Sequence, residues 1–481
     1  MPSSVETSGP VPSSGVLVRT GRNFGWLAGS AGFSAVASIL YVALAARTLG
    51  PAGFGAFALI MTYGELLANL AQFQSWKALT SFGAALQVAG ERARLGRLFA
   101  YATSADALGA IAGTLLGLVA VRLIGPWLHW TIADQNAAAW FGTALLLTSS
   151  TAPAGMLRLL NRFDLQVLSE AIAQITRLIG CIAGWIVGAG VGWFLWVWAL
   201  AALLQLAAQW VAVLALRHGP SFRPSALRLA HHENQDLWRF LLKTNFSSSL
   251  NLLWMYCGTL VVGIRAGPVE AGGFRLAHRF SLAIMKPVEI AEKALSPELA
   301  RLLATGDRAT MRRVLVRVSA ISAVFGSVVV FAAALYGGDI LRLVAGPRFE
   351  FAQQFFALLS VAAAINLVGF ALEPFHNAHF RPGSVLRANL VAALVYGAVL
   401  TILLPGLGAK AAAFAAIAAS VVIFAQLAWS AREILASMSC AGLSSGPDER
   451  GHPRPELHRP VPVGHGPGDQ RLIEPLREAG K

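Results

Sequence analysis

The chain has 481 residues, 56% of them apolar and 13% charged, with a mean hydropathy of +0.60. A globular domain carries about 25% charged residues, so about half the charge needed to coat a water-soluble surface is present, which argues against a soluble multidomain enzyme. Lys and Arg number 38 against 24 Asp and Glu, a net charge of +14. In a chain this apolar, that surplus points to the loops flanking membrane helices rather than to nucleic acid.

Residues 1–15 are Pro/Ser-rich and lack Lys and Arg. The apolar run that follows is too long for the core of a secretory signal, so it reads as a retained helix. A spanning helix needs about 20 mostly apolar residues. Twelve stretches qualify, centred on 24–45, 57–70, 99–121, 137–159, 165–187, 193–216, 246–264, 272–290, 315–335, 355–372, 385–404 and 411–429. With the N-terminus inside, the outer segments hold Arg47, Arg122, Arg265, Arg342, Arg348 and Lys410, while the inner ones hold most of the remaining Lys and Arg up to Arg387. The positive-inside rule therefore places both termini in the cytoplasm. Trp127, Trp130, Trp140, Trp193, Trp196 and Trp198 cluster near outer turns and read as an aromatic belt. The hydrophilic segment 218–235 is a basic cytoplasmic loop, and the Pro/Gly/His-rich tail 433–481 has too little apolar surface to order itself.

A faint repeat divides the spans into two sets of six. Gly50-Pro51 recurs as Gly267-Pro268, a shift of 267 − 50 = 217, and at that shift Gly55 meets Gly272, Phe57 meets Phe274, Phe163 meets Phe380 and Ala171 meets Ala388. The expected organisation is an N-terminal segment 1–22, a six-helix bundle 23–217, the loop 218–235, a second six-helix bundle 236–432 and the tail. An even number of spans per half makes the two halves parallel repeats, an arrangement that places substrate between them.

Several ionisable residues lie inside apolar spans, where each costs at least about 2.5–3.5 kcal/mol unless it faces a cavity or a partner. In the eighth span Arg275, Arg279, Lys286, Glu289 and Lys293 recur at spacings of four, seven, three and four and form one stripe. At about 1.5 Å per residue, Arg279 lies about 10 Å and Lys286 about 21 Å below Gly272. The fifth span carries Glu170, Gln174 and Arg177, with Arg177 near the bilayer midplane; the second adds Glu65 and the tenth Asn366 and Glu373. Arg177, Arg275, Arg279 and Lys286 are therefore candidates to line a central cavity and neutralise an anionic headgroup, guanidinium forks matching phosphate oxygens. Glu65, Glu170, Glu289 and Glu373 are candidate coupling acids, or structural partners of these cations. Pro153 and Pro287 mark candidate kinks in the fourth and eighth spans.

Motifs for other chemistries are missing. No GxxxxGK[ST] or HExxH occurs, and Gly188 to Gly192 is a turn rather than a nucleotide fingerprint. Cys181, Cys257 and Cys440 show neither disulfide nor zinc spacing. Nothing calls for a cofactor, a metal or catalysis.

The segments LAARTLGPAGFGAFALI (44–60), GMLRLLNRFDLQVLSEA (155–171), VVGIRAGPVEAGGFRLAHRF (261–280) and ALSPELARL (294–302) resemble bacterial polysaccharide-biosynthesis flippases of the multidrug/oligosaccharidyl-lipid/polysaccharide exporter superfamily. The resemblance runs from about Arg22 to Arg432. It implies an all-α membrane protein of about twelve helices in two six-helix bundles, V-shaped and alternating between inward- and outward-facing states. The implied activity is translocation of undecaprenyl-pyrophosphate-linked oligosaccharides across the cytoplasmic membrane for O-antigen, capsule or exopolysaccharide assembly. Implied partners are that substrate, membrane lipids and the polymerase and chain-length machinery of the same pathway. A multidrug or small-solute antiporter of the same fold, and a membrane-embedded glycan transferase or assembly scaffold, are the alternatives.

Overall fold

The computed structural model describes residues 13–234, 237–304, 308–379 and 382–443, although the side chains of 13–31, 246–255, 286–294 and 436–443 and of a few single positions are outside the description. Lys286, Glu289 and Lys293 thus lie outside the described side chains, and residues 444–481 of the tail outside the described residues altogether.

Every regular element among the described residues is helical. In chain order they are α1 (Ser13–Ala71), α2 (Ser75–Val88), α3 (Arg92–Ile124), α4 (Ile132–Leu147), α5 (Ala152–Leu159), α6 (Phe163–Val187), α7 (Val191–Ala215), α8 (Pro224–Glu233), α9 (Leu237–Ala304) and α10 (Arg308–Ala345). A 3-10 turn (Pro347–Ala352) then leads to α11 (Gln353–Gly369), α12 (Leu372–Ala378), α13 (Pro382–Leu407) and α14 (Lys410–Leu443). Residues up to Ala431 form one compact unit; those from Arg432 on form another, in which α14 continues to Leu443.

Two of these helices are hairpins. Gly50 (φ 65°, ψ 179°) interrupts α1, and Gly267 (φ 84°, ψ 178°) interrupts α9. Positive φ is open to glycine without steric cost, and the proline that follows each is preset for a first helical turn. Tyr41 and Phe57 both pack edge-on against Trp198, at 5.2 and 5.1 Å between ring centroids. They are 57 − 41 = 16 positions apart, which a straight helix would stretch to about 24 Å, so the chain reverses at Gly50. The equivalent pair one repeat later behaves alike: a Cβ on Gly258 would lie 3.5 Å from Phe274 Cε1. The repeat seen as scattered identities is therefore a repeat of hairpin geometry.

Eight helical stretches among the described residues are long and apolar enough to cross a membrane. One of them, Gly32–Val88, holds two passes because of the Gly50 reversal. The fourth, seventh and eighth expected spans complete the twelve as α4 with α5 and the two limbs of α9. α4 alone, at 16 residues, is too short to cross, because the fourth span is broken. Leu394 and Ile402, 74% and 73% exposed, belong to a surface suited to lipid rather than water.

Two expectations change. The fourth span is not continuous: α4 stops at Leu147 and α5 starts at Ala152, the Ser/Thr-rich stretch 148–151 offering hydroxyls that compete with helical hydrogen bonds. The second expected span, 57–70, is unbroken within α1; the chain breaks beyond it at 72–74, where Gln74 takes a left-handed conformation (φ 53°), and continues as α2. The 218–235 loop folds in part as α8. By contrast Gly188 (φ 65°) ends α6 with a left-handed cap, as a turn residue should.

An aromatic core holds the hairpins together, with Phe54, Phe57, Phe141, Phe194, Phe274, Phe349 and Phe355 all buried. A second cluster packs Leu79, Leu98, Phe99 and Met156 with Leu237 and Leu241 at the start of α9. Of the expected tryptophan belt, Trp127, Trp193 and Trp196 are exposed, but Trp130 and Trp198 are buried and serve packing instead.

Candidate functional site

The second limbs of the two hairpins cross where neither helix carries a side chain. A Cβ on Gly272 would lie 2.8 Å from Gly55 Cα, and one on Gly55 would overlap the Pro268 carbonyl. These are the pair related by the 217-residue shift. Their contact brings the two hairpins together near the Gly50 and Gly267 corners. Along the limbs from this crossing lies a cavity of about 290 Å³.

The cavity wall takes residues from both limbs of α1, from the end of α4, from α6 and α7, and from the second limb of α9. Three guanidinium groups line it, Arg177, Arg275 and Arg279, against one carboxylate, Glu65, an excess of 3 − 1 = 2 positive charges. Arg275 Nη2 donates to Glu65 Oε2 at 2.5 Å, and its guanidinium lies 5.9 Å from the centre of the Tyr256 ring. Arg279 Nη2 donates to the Tyr41 hydroxyl at 3.3 Å. Arg177 lies 5.9 Å from the Trp198 ring centre, and its Nε is buried with no hydrogen-bond partner among the described residues. Asn69, one turn after Glu65, donates from Nδ2 to the Tyr256 hydroxyl at 3.2 Å. Arg279 and Arg177 thus face the cavity without a carboxylate partner among the described residues, a costly state in a low-dielectric setting unless an anion enters.

The helix breaks border this cavity. Thr148 and Ser149 from the α4–α5 break line it. Gln72 Nε2 donates across to the Ser149 carbonyl at 2.8 Å, and Asn245 Nδ2 donates to the Gln72 and Leu70 carbonyls at 2.6 and 3.1 Å. Backbone groups freed by the breaks are therefore re-satisfied by side chains, as membrane depth demands. Behind the breaks Asp106, 4% exposed, accepts from Ser75 Oγ (2.6 Å), Ser150 Oγ (3.0 Å), Thr151 N (2.9 Å) and Ala152 N (3.2 Å). It ties α2, α3 and α5 into one block and caps the first turn of α5.

Sequence spacing thus brought Arg177, Arg275, Arg279 and Glu65 to one place. It did not bring Glu170, which accepts from Gln166 Nε2 at 3.0 Å, Gln166 itself accepting from Arg158 at 3.0 Å; that chain belongs to the α5–α6 junction. Glu373 lies exposed on α12, away from the cavity wall. Lys286 and Glu289 fall outside the described side chains. Helical spacing gave no pointer to Tyr41, Asn69, Tyr256, Trp198 or Asp106. Asn69 and Asp106, polar residues inside apolar runs, were visible signals; Tyr41 and Tyr256 were indistinguishable from core aromatics.

Known proteins share the family and the fold of this chain. The family model described as polysaccharide biosynthesis protein matches residues 20–303. The inner membrane protein YghQ of Escherichia coli (strain K12) is 26% identical over 338 residues, covering 68% of this chain and 93% of that protein. Among solved structures, an inward-facing multidrug resistance MATE family transporter of the MOP superfamily superposes with TM-score 0.68 at 13% identity, over 84% of this chain and 95% of the other. The lipid II flippase MurJ in an inward closed conformation superposes with TM-score 0.67 at 12% identity, over 86% and 90%. The chain belongs to the polysaccharide biosynthesis protein family and has the fold of the MOP-superfamily transporters.

Proposed function

We propose that this protein is a flippase of the bacterial inner membrane that carries undecaprenyl-pyrophosphate-linked oligosaccharides outward by alternating access, for O-antigen, capsule or exopolysaccharide assembly. The observation that carries this reading is the cavity between the two hairpins, with three arginines against one glutamate. A diphosphate offers the charge and the oxygen geometry that guanidinium forks recognise. Arg275 and Arg279 would engage it from α9 and Arg177 from α6, with Lys286 further along the same face of α9. Glu65 holds Arg275 in the empty state and gives it up when the anion arrives. At the low end of the ~300–1,000 Å³ range of small-molecule sites, the cavity suits a headgroup rather than a whole glycan. The polyprenyl chain and the distal sugars extend beyond it.

In this reading the Gly55–Gly272 crossing is the outer seal, and both termini face the cytoplasm as the charge distribution requires. The six-helix halves, 23–217 and 236–432, move against each other, and pathway enzymes hand over and receive the glycan. An antiporter for cationic drugs is disfavoured by the same charge excess, which would repel its cargo.

The test is export in cells. Replacing Arg275 and Arg279 with Ala, at wild-type membrane levels, should leave lipid-linked oligosaccharide accumulated on the inner side and surface glycan lost. Normal surface glycan in that variant would return the arginines to a structural role.

A further inference from the structure

A second arginine-lined cleft, of about 390 Å³, lies far along the sequence from the cavity-lining arginines, between the start of α3 and the linker that carries α8. Arg92, Arg97 and Arg223 line it, with Ser225 and Leu229, and among the described residues no carboxylate lines it. Arg97 is already neutralised: its guanidinium grips Glu233 in bidentate fashion, at 2.5 and 3.1 Å. Arg92 and Arg223 pair with no carboxylate among the described residues.

Two further features raise the positive potential there. Both α3 and α8 begin at this cleft, and neither has an acidic residue in its first turn. Helix starts normally attract acidic side chains because their free N–H groups carry partial positive charge. Here the cap of α8 is Arg223, with no side-chain cap bond, and Glu91, which precedes α3, turns its carboxylate to Arg94 at 2.9 Å. Guanidinium groups and two helix starts with this polarity repel one another unless an anion joins them.

The surroundings say which kind of anion. Phe222 and Leu229, 52% and 46% exposed, flank the arginines on the linker. Apolar side chains beside cations mark an element lying in the membrane interface, the former reaching the acyl boundary and the latter the phosphates. Arg97 and Arg92 lie about 3 and 10 Å along the α3 axis from Phe99, where the apolar run begins, which is headgroup depth. The Ser221 N–H donates to the Gly96 carbonyl at 3.1 Å, so the linker is docked against α3 where the cleft opens.

We propose that this cleft binds the phosphodiester headgroup of an anionic membrane lipid, pinning the linker between the two halves to the start of α3. The proposal does not depend on what the central cavity carries. The shared chemistry is a phosphate held by Arg92, Arg223, the Ser225 hydroxyl and the N–H groups at the start of α8; the lipid is distinguished from a soluble phosphate by its anchoring in the bilayer.

The test is native mass spectrometry of the full-length protein purified in a neutral detergent and titrated with phosphatidylglycerol. R92A/R223A should bind the tightest phosphatidylglycerol about tenfold more weakly or worse, the loss of charge-assisted hydrogen bonds. R228A, which removes an exposed arginine of α8 outside the cleft lining, should bind as wild type does. Single variants R92A and R223A, each deleting one exposed side chain, give the same ordering should the double variant fail to fold. Equal binding by wild type and the cleft variants overturns the proposal, as does an equal loss in R228A, which would mean diffuse charge. Displacement of the lipid by millimolar inorganic phosphate overturns the lipid assignment; retention supports it.

Discussion

Substituting Gly272 with alanine probes the seal between the two hairpins. The added methyl would lie 2.8 Å from Gly55 Cα, 3.0 Å from Gly55 N and 3.4 Å from Phe54 Cδ1, where carbon atoms in contact prefer about 3.5–4.0 Å. The two nearest atoms are backbone, so no side-chain rotation relieves the overlap and the limbs must separate by about 1 Å. Overpacking of this kind costs about 1–3 kcal/mol, and the cost falls only on a state in which the limbs cross. An arrangement with the limbs apart pays nothing. The equilibrium between them should therefore move by about 5- to 150-fold toward separation. Spin labels at Ala52 and Val269, exposed and equivalent by the shift 269 − 52 = 217, report the corner-to-corner distance in a background lacking Cys181, Cys257 and Cys440. Gly272→Ala should add or enrich a longer component. Gly192→Ala, where a methyl meets nothing within 4 Å, should leave the distribution unchanged. A wild-type distribution in Gly272→Ala, with an unchanged melting temperature, would refute the idea that this crossing is the contact that opens.

Three other outcomes follow from the geometry. Glu65→Gln removes the only carboxylate of the cavity wall among the described residues and leaves Arg275 without its ion pair; it should cost about 1–2 kcal/mol after solvent screening, and inorganic pyrophosphate should recover more stability in this variant than in wild type by thermal shift. Asp106→Ala strands the Ser150 hydroxyl and two backbone N–H groups, the Ser75 hydroxyl keeping the Ala102 carbonyl, and should cost about 3 kcal/mol, whereas Asp106→Asn, which keeps an acceptor oxygen, should cost less; equal losses would mean that packing rather than hydrogen bonding matters there. Hydrogen bonding from Arg97, with Arg94 adding to it, holds the Glu233 carboxyl below the usual carboxylate range. A lowered carboxyl contributes stability above its unfolded value and loses it as the pH falls through the lowered one. Protection of the α8 amides, taken relative to their intrinsic exchange rate at each pH, should accordingly be highest at neutral pH and fall in acid, and Glu233→Gln should abolish that dependence.

The membrane architecture was legible because the signals are long and redundant. Twenty-residue apolar runs and the Gly-Pro corners report the same spans, and the hairpin at Gly50 needs only a glycine followed by a proline. The cavity was partly legible because an arginine in an apolar run has few physical excuses; Arg177, Arg275 and Arg279 converge although the first belongs to α6 and the others to α9. Helical spacing fixes which residues share a face of one helix, but not which neighbour that face meets. For this reason Glu170, on the same stripe as Arg177, ended at the α5–α6 junction. Trp198 near an outer turn looked like a belt residue, yet it is packed between Tyr41 and Phe57. The breaks at 72–74 and 148–151 interrupt hydrophobicity too little to be seen by composition, and only the hydrogen bonds of Gln72, Asn245 and Asp106 reveal how they are held.

The central claim is that Arg275 and Arg279 recognise a polyprenyl-linked diphosphate. Its most direct test is the affinity of the purified protein for undecaprenyl pyrophosphate beside undecaprenol, in wild type and in Arg275→Ala/Arg279→Ala. Removing one charge-assisted hydrogen bond costs about 1.5–3 kcal/mol, so the double variant should bind the diphosphate at least about a hundredfold more weakly, and its weak binding of the alcohol should not change. Equal affinity of wild type and variant for the diphosphate would contradict the account.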